Sequence, residues 1–296
     1  MTCKPKVKKR RVASADDQQC QPSQSKGQKS SSSPQPEQPI PSPSALQSLQ
    51  WPCKVPFTSV EAENSLLPIL LKWGKKERGM MKDQPKYRLH QIKAACQKVN
   101  IPLSQALSLR RHHIQQLNPY HSIEQLRLGR MDDIQKSAKL FEESAEQYLR
   151  HLCIPIVTER MQKERHFQKN SEALKHGLRS QPLPPTPDFL LEKPIKIIAR
   201  NEESVVHWIE VKHFYGASSI PNDNKSAVGC ILNKSQVYRD LYGPGAIVFA
   251  YGAGSELATL LNRMGIMVLD SGPLRMEAVV RHLRSWCADP NGKILP

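Results

Sequence analysis

The chain has 296 residues, a formal net charge of +16 and a pI of about 9.6, a balance that points to a polyanionic partner, with nucleic acid first. A hydrophobic share of 39% is too low for the whole length to fold into a core, so part of the chain is expected to lack one. The seven Cys are scattered, odd in number and without a Cys-x-x-Cys pair, which argues against a disulfide scaffold and a structural zinc site; no apolar run has the length of a membrane span or the position of a secretory signal.

Residues 1–57 are rich in Ser, Gln, Pro and Lys and read as a disordered basic tail that cannot bury enough surface to offset chain entropy. Within it, Lys4-Pro5-Lys6-Val7-Lys8-Lys9-Arg10-Arg11 reads as a nuclear localisation signal, which predicts a protein of the nucleus that also passes through the cytoplasm. A phosphate-contacting arm and a solvated charge cluster are the alternatives. Residues 58–130 have helical periodicity. Leu66, Leu67, Leu70 and Leu71 form one face, with Pro68 shifting the helix start, and Leu89, Ile92, Ala95, Cys96 and Val99 form another. Pro102-Leu103-Ser104 opens a further segment that contains Arg110-Arg111-His112-His113. Adjacent histidines on a helix diverge by about 100°, so this run reads as a basic helix surface rather than a metal site. Short helices with short links suggest a helix-turn-helix-like module.

Residues 131–296 read as one α/β domain. A long helix over Asp132–Leu152 carries an apolar stripe through Ile134, Ala138, Phe141, Ala145, Tyr148 and Leu152, with Glu142, Glu143 and Glu146 near or opposite it. A strand over Cys153–Val157 follows. The basic stretch 159–181 reads as a solvated helix or loop, and its place before the next motif suggests phosphate-backbone steering. Apolar runs at Phe189–Leu191 and Ile195–Ala199 flank Glu192-Lys193-Pro194, a bend or bulge signal, and a turn at Asn201–Ser204 leads into a strand over Val205–Lys212. Helices over Ile231–Leu241, Glu256–Met264 and Pro273–Cys287 then alternate with strands over Ala246–Tyr251 and Ile266–Leu269, the pattern of an α/β sandwich.

Two runs carry chemistry, Thr186-Pro187-Asp188-Phe189 and His207-Trp208-Ile209-Glu210-Val211-Lys212. Residues two apart on a strand share a face, so Glu210 and Lys212 project together beside Trp208, while His207, Ile209 and Val211 face the other way. With Asp188 at the start of one strand and Glu210 midway along its antiparallel neighbour, both carboxylates come within reach of one ion. Two carboxylates and a lysine can hold a divalent metal and manage a water, the chemistry of metal-dependent phosphodiester hydrolysis. The alternative is a surface salt bridge on a half-exposed strand, with Asp188 an ordinary turn residue.

Pro187-Asp188, a gap of about twenty residues and Glu210-Val211-Lys212 resemble the signature of the PD-(D/E)xK nuclease superfamily. Thr186-Pro187-Asp188-Phe189, Leu190-Leu191, Pro194, His207-Trp208-Ile209-Glu210, Lys212, Phe214, Gly216 and Gly243-Pro244-Gly245 are together similar to its TPD-motif family. The similarity is good from Thr186 to Tyr251 and diffuse through the helical region before it. The resemblance implies a restriction-endonuclease-like core, a mixed sheet flanked by helices, preceded by the all-helical region and the tail. It implies Mg²⁺ or Mn²⁺ held by Asp188, Glu210 and the Val211 carbonyl, with Lys212 orienting water and offsetting charge. It also implies an acidic residue on the helix before the sheet, best matched by Glu146, and a helix glutamine, Gln236, followed by Tyr238, near the metal or the nucleic acid. DNA is favoured over RNA, and a codanin-like protein is the implied protein partner. One departure is Ala217-Ser218 after Gly216, where the family often has an acidic residue. Two further readings stand beside the nuclease: a non-catalytic scaffold for a codanin-like protein, and a nucleic-acid-binding protein that does not cleave.

Overall fold

The computed structural model describes residues 46–76, 85–118, 120, 130–223 and 226–286. The basic run Lys4–Arg11 and most of the expected tail lie outside the described residues. The architecture is a mixed six-stranded sheet flanked by helices, as the family resemblance implies. In chain order the elements are β1 (Ser48–Gln50), α1 (Val60–Lys76), α2 (Pro85–Lys98), α3 (Leu103–Leu117), α4 (Met131–His151), β2 (Ile156–Thr158) and α5 (Glu159–Lys175). They continue with β3 (Phe189–Ala199), β4 (Glu202–Lys212), α6 (Ala227–Tyr242), β5 (Gly245–Phe249), α7 (Ser255–Arg263), β6 (Ile266–Asp270) and α8 (Glu277–Trp286).

The centre of the sheet is the β3–β4 hairpin. Its turn residues Arg200 and Asn201 take positive φ values of 51° and 65°, the twist that suits a two-residue hairpin. The ladder runs from Ala199↔Glu202 to Phe189↔Ile209 and is interrupted between Leu190 and Ile195, where Glu192-Lys193-Pro194 form the expected bulge. β4, β5 and β6 are parallel and joined by α6 and α7, which cover them, so the inner strand β5 and the edge strand β6 are both buried along their whole length. On the far edge of β3, β2 pairs antiparallel with its first residues and β1 parallel with its last.

Two apolar layers cover the sheet. On one face Phe141, Ala145 and Leu149 of α4 and Val279 and Leu283 of α8 pack on Phe189, Ile197, Ile209, Val211 and Val248. On the other, α6 and α7 pack with α1, α2 and α3 against Trp208, Ile247, Phe249 and Val268. Each fully buried large side chain contributes about 1.5–3 kcal/mol relative to exposure. The helices of region 58–130 thus lie on the sheet itself. Residues 46–57, placed in the tail by composition, supply β1 and Trp51, whose indole is buried and donates to the Asp270 carbonyl at 2.9 Å.

Several local expectations change. α1 begins at Val60 and carries Pro68 inside it, with the Ser59 hydroxyl accepting from the Ala62 amide at 3.2 Å. Arg110 is buried and Arg111, His112 and His113 are half-buried, so this run is packing rather than a basic surface; His112 stands edge-on to Phe214 at 4.8 Å. Much of the stretch 159–181 is a regular helix with no buried residue, α5, the first of the two forms expected for it. Cys53, Cys96, Cys153 and Cys230 are free thiols. Among the described residues no helix is long and apolar enough to cross a membrane.

Candidate active site

The hairpin register puts Asp188, one residue before Phe189↔Ile209, opposite Glu210. Each carboxylate then holds the other's strand. Glu210 Oε2 accepts from the Asp188 amide at 3.1 Å, and Asp188 Oδ2 accepts from the Val211 amide at 2.7 Å. Lys212 Nζ donates to Glu210 Oε1 as an ion pair. Asp188, Glu210 and Lys212 are therefore brought together at one end of the hairpin. Glu210 is buried and the other two are half-buried.

Backbone direction adds one oxygen. The N–H and C=O of an extended residue point to the same side of its strand, and successive residues alternate. The Val211 N–H points at Asp188, so its carbonyl points to that side too, while the Lys212 carbonyl turns to β5 and accepts from Ala250 N at 2.9 Å.

The segment before Asp188 is held from two helices. Tyr238 of α6 donates its hydroxyl to the Thr186 carbonyl at 2.7 Å, and Tyr242 donates to the Pro185 carbonyl at 2.9 Å. From α5, Gln162 Nε2 donates to the Pro187 carbonyl at 2.9 Å and the Glu159 amide donates to the Asp188 carbonyl at 3.0 Å. The Thr186 hydroxyl completes the frame with a hydrogen bond to Glu159 Oε1 at 3.3 Å. The Thr-Pro-Asp run thus presents its carbonyls and its threonine hydroxyl to a fixed frame, which aims the aspartate across the hairpin.

The electrostatics are those of crowded carboxylates. Burial, then the Glu210 charge, pushes the Asp188 carboxyl up to about 7, against the attraction of Lys212. Burial works against the Lys212 ammonium, but Glu210 and Asp188 outweigh it and hold the group above its ordinary value. Glu142 of α4 is raised by burial first and then by Glu159, Glu146 and Glu210. Its charge in turn acts on both Asp188 and Lys212.

Glu142 is therefore the α4 carboxylate nearest the trio in effect. Glu146 lies one turn further on and is drawn to Arg150 at 2.8 Å. Gln236 does not reach the site. It is exposed and bonds Asp240 at 2.8 Å, because helical rotation turns Ser235 and Tyr238 inward and Gln236 outward. Glu142, Glu159, Gln162 and Tyr242 were not singled out by sequence as parts of this site. Only Glu159 and Gln162, directly after a short strand, left a positional trace there.

The donor set fits a hard divalent cation. Two carboxylates and a backbone carbonyl are oxygen ligands suited to Mg²⁺ or Mn²⁺, which retain several waters. Burial first, and neighbouring carboxylates second, raise Asp188 and Glu142, and a cation would favour the ionised form of each. Among the described residues no three His, Cys, Asp or Glu side chains form a metal-holding group, so an all-side-chain cage is not what this site offers.

The family model described as a protein of unknown function with the TPD sequence motif matches residues 100–272, more than half of the chain. The chain belongs to the TPD sequence-motif family. Within this family setting, CDAN1-interacting nuclease 1 of Gallus gallus is 32% identical over 96 residues, covering 32% of this chain and 31% of that protein. Uncharacterized protein L539 of Acanthamoeba polyphaga mimivirus is 29% identical over 142 residues, 48% of this chain and 43% of that protein. The matches span less than half of either relative. No solved structure matches the chain. This TPD family member is thus related to a protein named as a nuclease, and its Thr186-Pro187-Asp188 run is the segment framed by α5 and α6.

Proposed function

We propose that this TPD family member is a divalent-metal-dependent nuclease that hydrolyses phosphodiester bonds, with DNA preferred over RNA. The observation that carries this is the reciprocal clasp of Asp188 and Glu210 across the hairpin, with Lys212 paired to Glu210. Asp188, Glu210 and the Val211 carbonyl would hold Mg²⁺ or Mn²⁺. Such an ion supplies Lewis acidity toward the scissile phosphate and lowers the pKa of a bound water. Lys212 keeps its proton beside two carboxylates, so it acts as a fixed positive charge where negative charge grows on the phosphate, not as a general base. The clasp keeps Asp188 and Glu210 in place without motion at the moment of reaction.

The name of the Gallus gallus relative motivates a codanin-like protein as a partner, and the run Lys4–Arg11 motivates a nuclear location. The test is cleavage of labelled single-stranded DNA, duplex DNA and RNA in Mg²⁺, Mn²⁺ or EDTA. Wild type is expected to cut only with metal, and Asp188→Ala and Lys212→Ala are each expected to lose at least about a hundredfold in rate, the scale of one electrostatic group in such a site. Cleavage that persists in EDTA, or is unchanged in both variants, would overturn the assignment.

A further inference from the structure

α5 leaves the site directly, its Glu159 amide bonded to the Asp188 carbonyl at 3.0 Å, yet none of its 17 residues is buried. Helices in folded proteins are normally held by burying one face. This one is held by polar ties. Thr158 caps its start, Gln162 reaches Val157 and Pro187, and Asn170 exchanges two hydrogen bonds with Gln181 on the returning chain, at 2.8 and 3.0 Å. Helix and return segment form an arm.

The ties use one face. Gln162, His166 and Asn170 follow at four-residue spacing and meet Val157, Pro187 and Gln181. Arg160, Lys163, Phe167 and Leu174 fall within about 60° of one another on the adjoining strip of the helix. There Phe167 is 73% and Leu174 59% exposed. Among the described residues Arg160 and Lys163 make i,i+4 surface pairs, at 3.8 and 2.9 Å, which are worth little and exchange readily for phosphate. An open aromatic ring one and two turns beyond two cations is a stacking platform with phosphate contacts on the side that faces the site. An arm of 17 residues is about 25 Å long, the axial length of about seven B-form nucleotides on one strand.

We propose that this face of α5 docks an unpaired nucleic-acid strand running away from the scissile phosphate. Phe167 stacks on a base, Leu174 supports it, and Arg160 and Lys163 contact phosphates. The inference rests on the nuclease reading for its choice of occupant, and charge complementarity together with continuity from Asp188 favours a nucleic-acid strand over an apolar protein segment.

The test is binding of the full chain to a labelled single-stranded oligonucleotide, by fluorescence anisotropy in EDTA across a salt series. Phe167→Ala is expected to weaken binding about tenfold, within the range of one lost stack. Arg160→Gln/Lys163→Gln is expected to flatten the slope of log K against log salt by about 1.4, two single-strand phosphate contacts. These side chains are exposed, so circular dichroism should show folded variants. Unchanged affinity in Phe167→Ala, or an unchanged slope in the double variant, overturns the proposal. So does a face whose substitution alters only binding to anionic vesicles or to a protein. Wild-type turnover of bis(p-nitrophenyl) phosphate with Mn²⁺ is the separate readout for the nuclease reading. Arm-dependent binding without that turnover would strike the chemistry and leave the arm standing.

Discussion

Glu63 of α1 is fully buried, and its carboxylate organises the loop that follows Lys212. Oε1 accepts from the Tyr215 hydroxyl at 2.6 Å and the Ser218 amide at 3.0 Å, and Oε2 accepts from the Ser219 amide at 2.7 Å. The Ser218 hydroxyl then accepts from the Glu256 and Leu257 amides at the start of α7, at 3.0 and 3.1 Å. Glu63→Ala orphans three donors at once. A hydrogen bond to a charged group nets about 1.5–3 kcal/mol. Ser218 and Ser219 are only half-buried, so water recovers part of their loss, and the expected destabilisation is about 3–5 kcal/mol. That is a large share of a domain's total of about 5–15 kcal/mol. Glu63→Gln keeps the shape but must turn its amide N–H₂ toward at least one donor, so about 2 kcal/mol is expected. Urea unfolding followed by far-UV circular dichroism measures both, with the denaturant slope unchanged if only the native state is affected. A loss below about 1 kcal/mol in Glu63→Ala would refute the view that this carboxylate organises the loop.

Gly245→Ala would place a methyl inside the Trp208 indole, which is fully buried, and should cost about 1–3 kcal/mol or more with a changed near-UV spectrum. His213 is pushed down to about 4 by burial and by the charges of Arg111 and His282, and His112 to about 4 by burial and by Arg111 and His113. Their folded pKa values lie below the unfolded value of about 6.5, so unfolding takes up protons and stability falls as pH drops from about 6.5 toward 4. A double His112→Gln/His213→Gln variant should have a flatter chemical-denaturation midpoint over that window, and an equal slope would refute the cause. Mn²⁺ at a hundred times its dissociation constant should stabilise wild type by about 2.7 kcal/mol. Thermal melts should show the rise in wild type and not in Asp188→Asn, and an equal rise in both would place the ion elsewhere.

Asp270 shows what sequence reading passed over. The expected strand stopped at Leu269, one residue short of it, yet its buried carboxylate accepts from the amides of Lys54, Val55 and Gly272 and from Arg200. With Trp51, it fastens residues 51–55 onto the end of β6, although the low apolar content of that region argued for a tail. The β3–β4 hairpin was legible because its signals are local: Asn201 in the turn, Pro194 at the bulge and alternating apolar residues leading to Glu210. Glu146 against Glu142 was not legible, since four residues is one helical turn and either carboxylate fits the pattern.

The residues themselves determined the strand and helix periods of the last third, the Asp and Glu-x-Lys types and the excess of positive charge, because each depends on neighbours along the chain. Only the tertiary structure decided that Asp188 stands opposite Glu210, that the Val211 carbonyl turns the same way and that Glu142 sits closest in effect. It alone joined Glu63 to Tyr215, 152 positions apart, and left α5 without a buried face. Periodicity is a property of local backbone geometry, whereas register, desolvation and hydrogen-bond partners depend on which distant segments fill the same space.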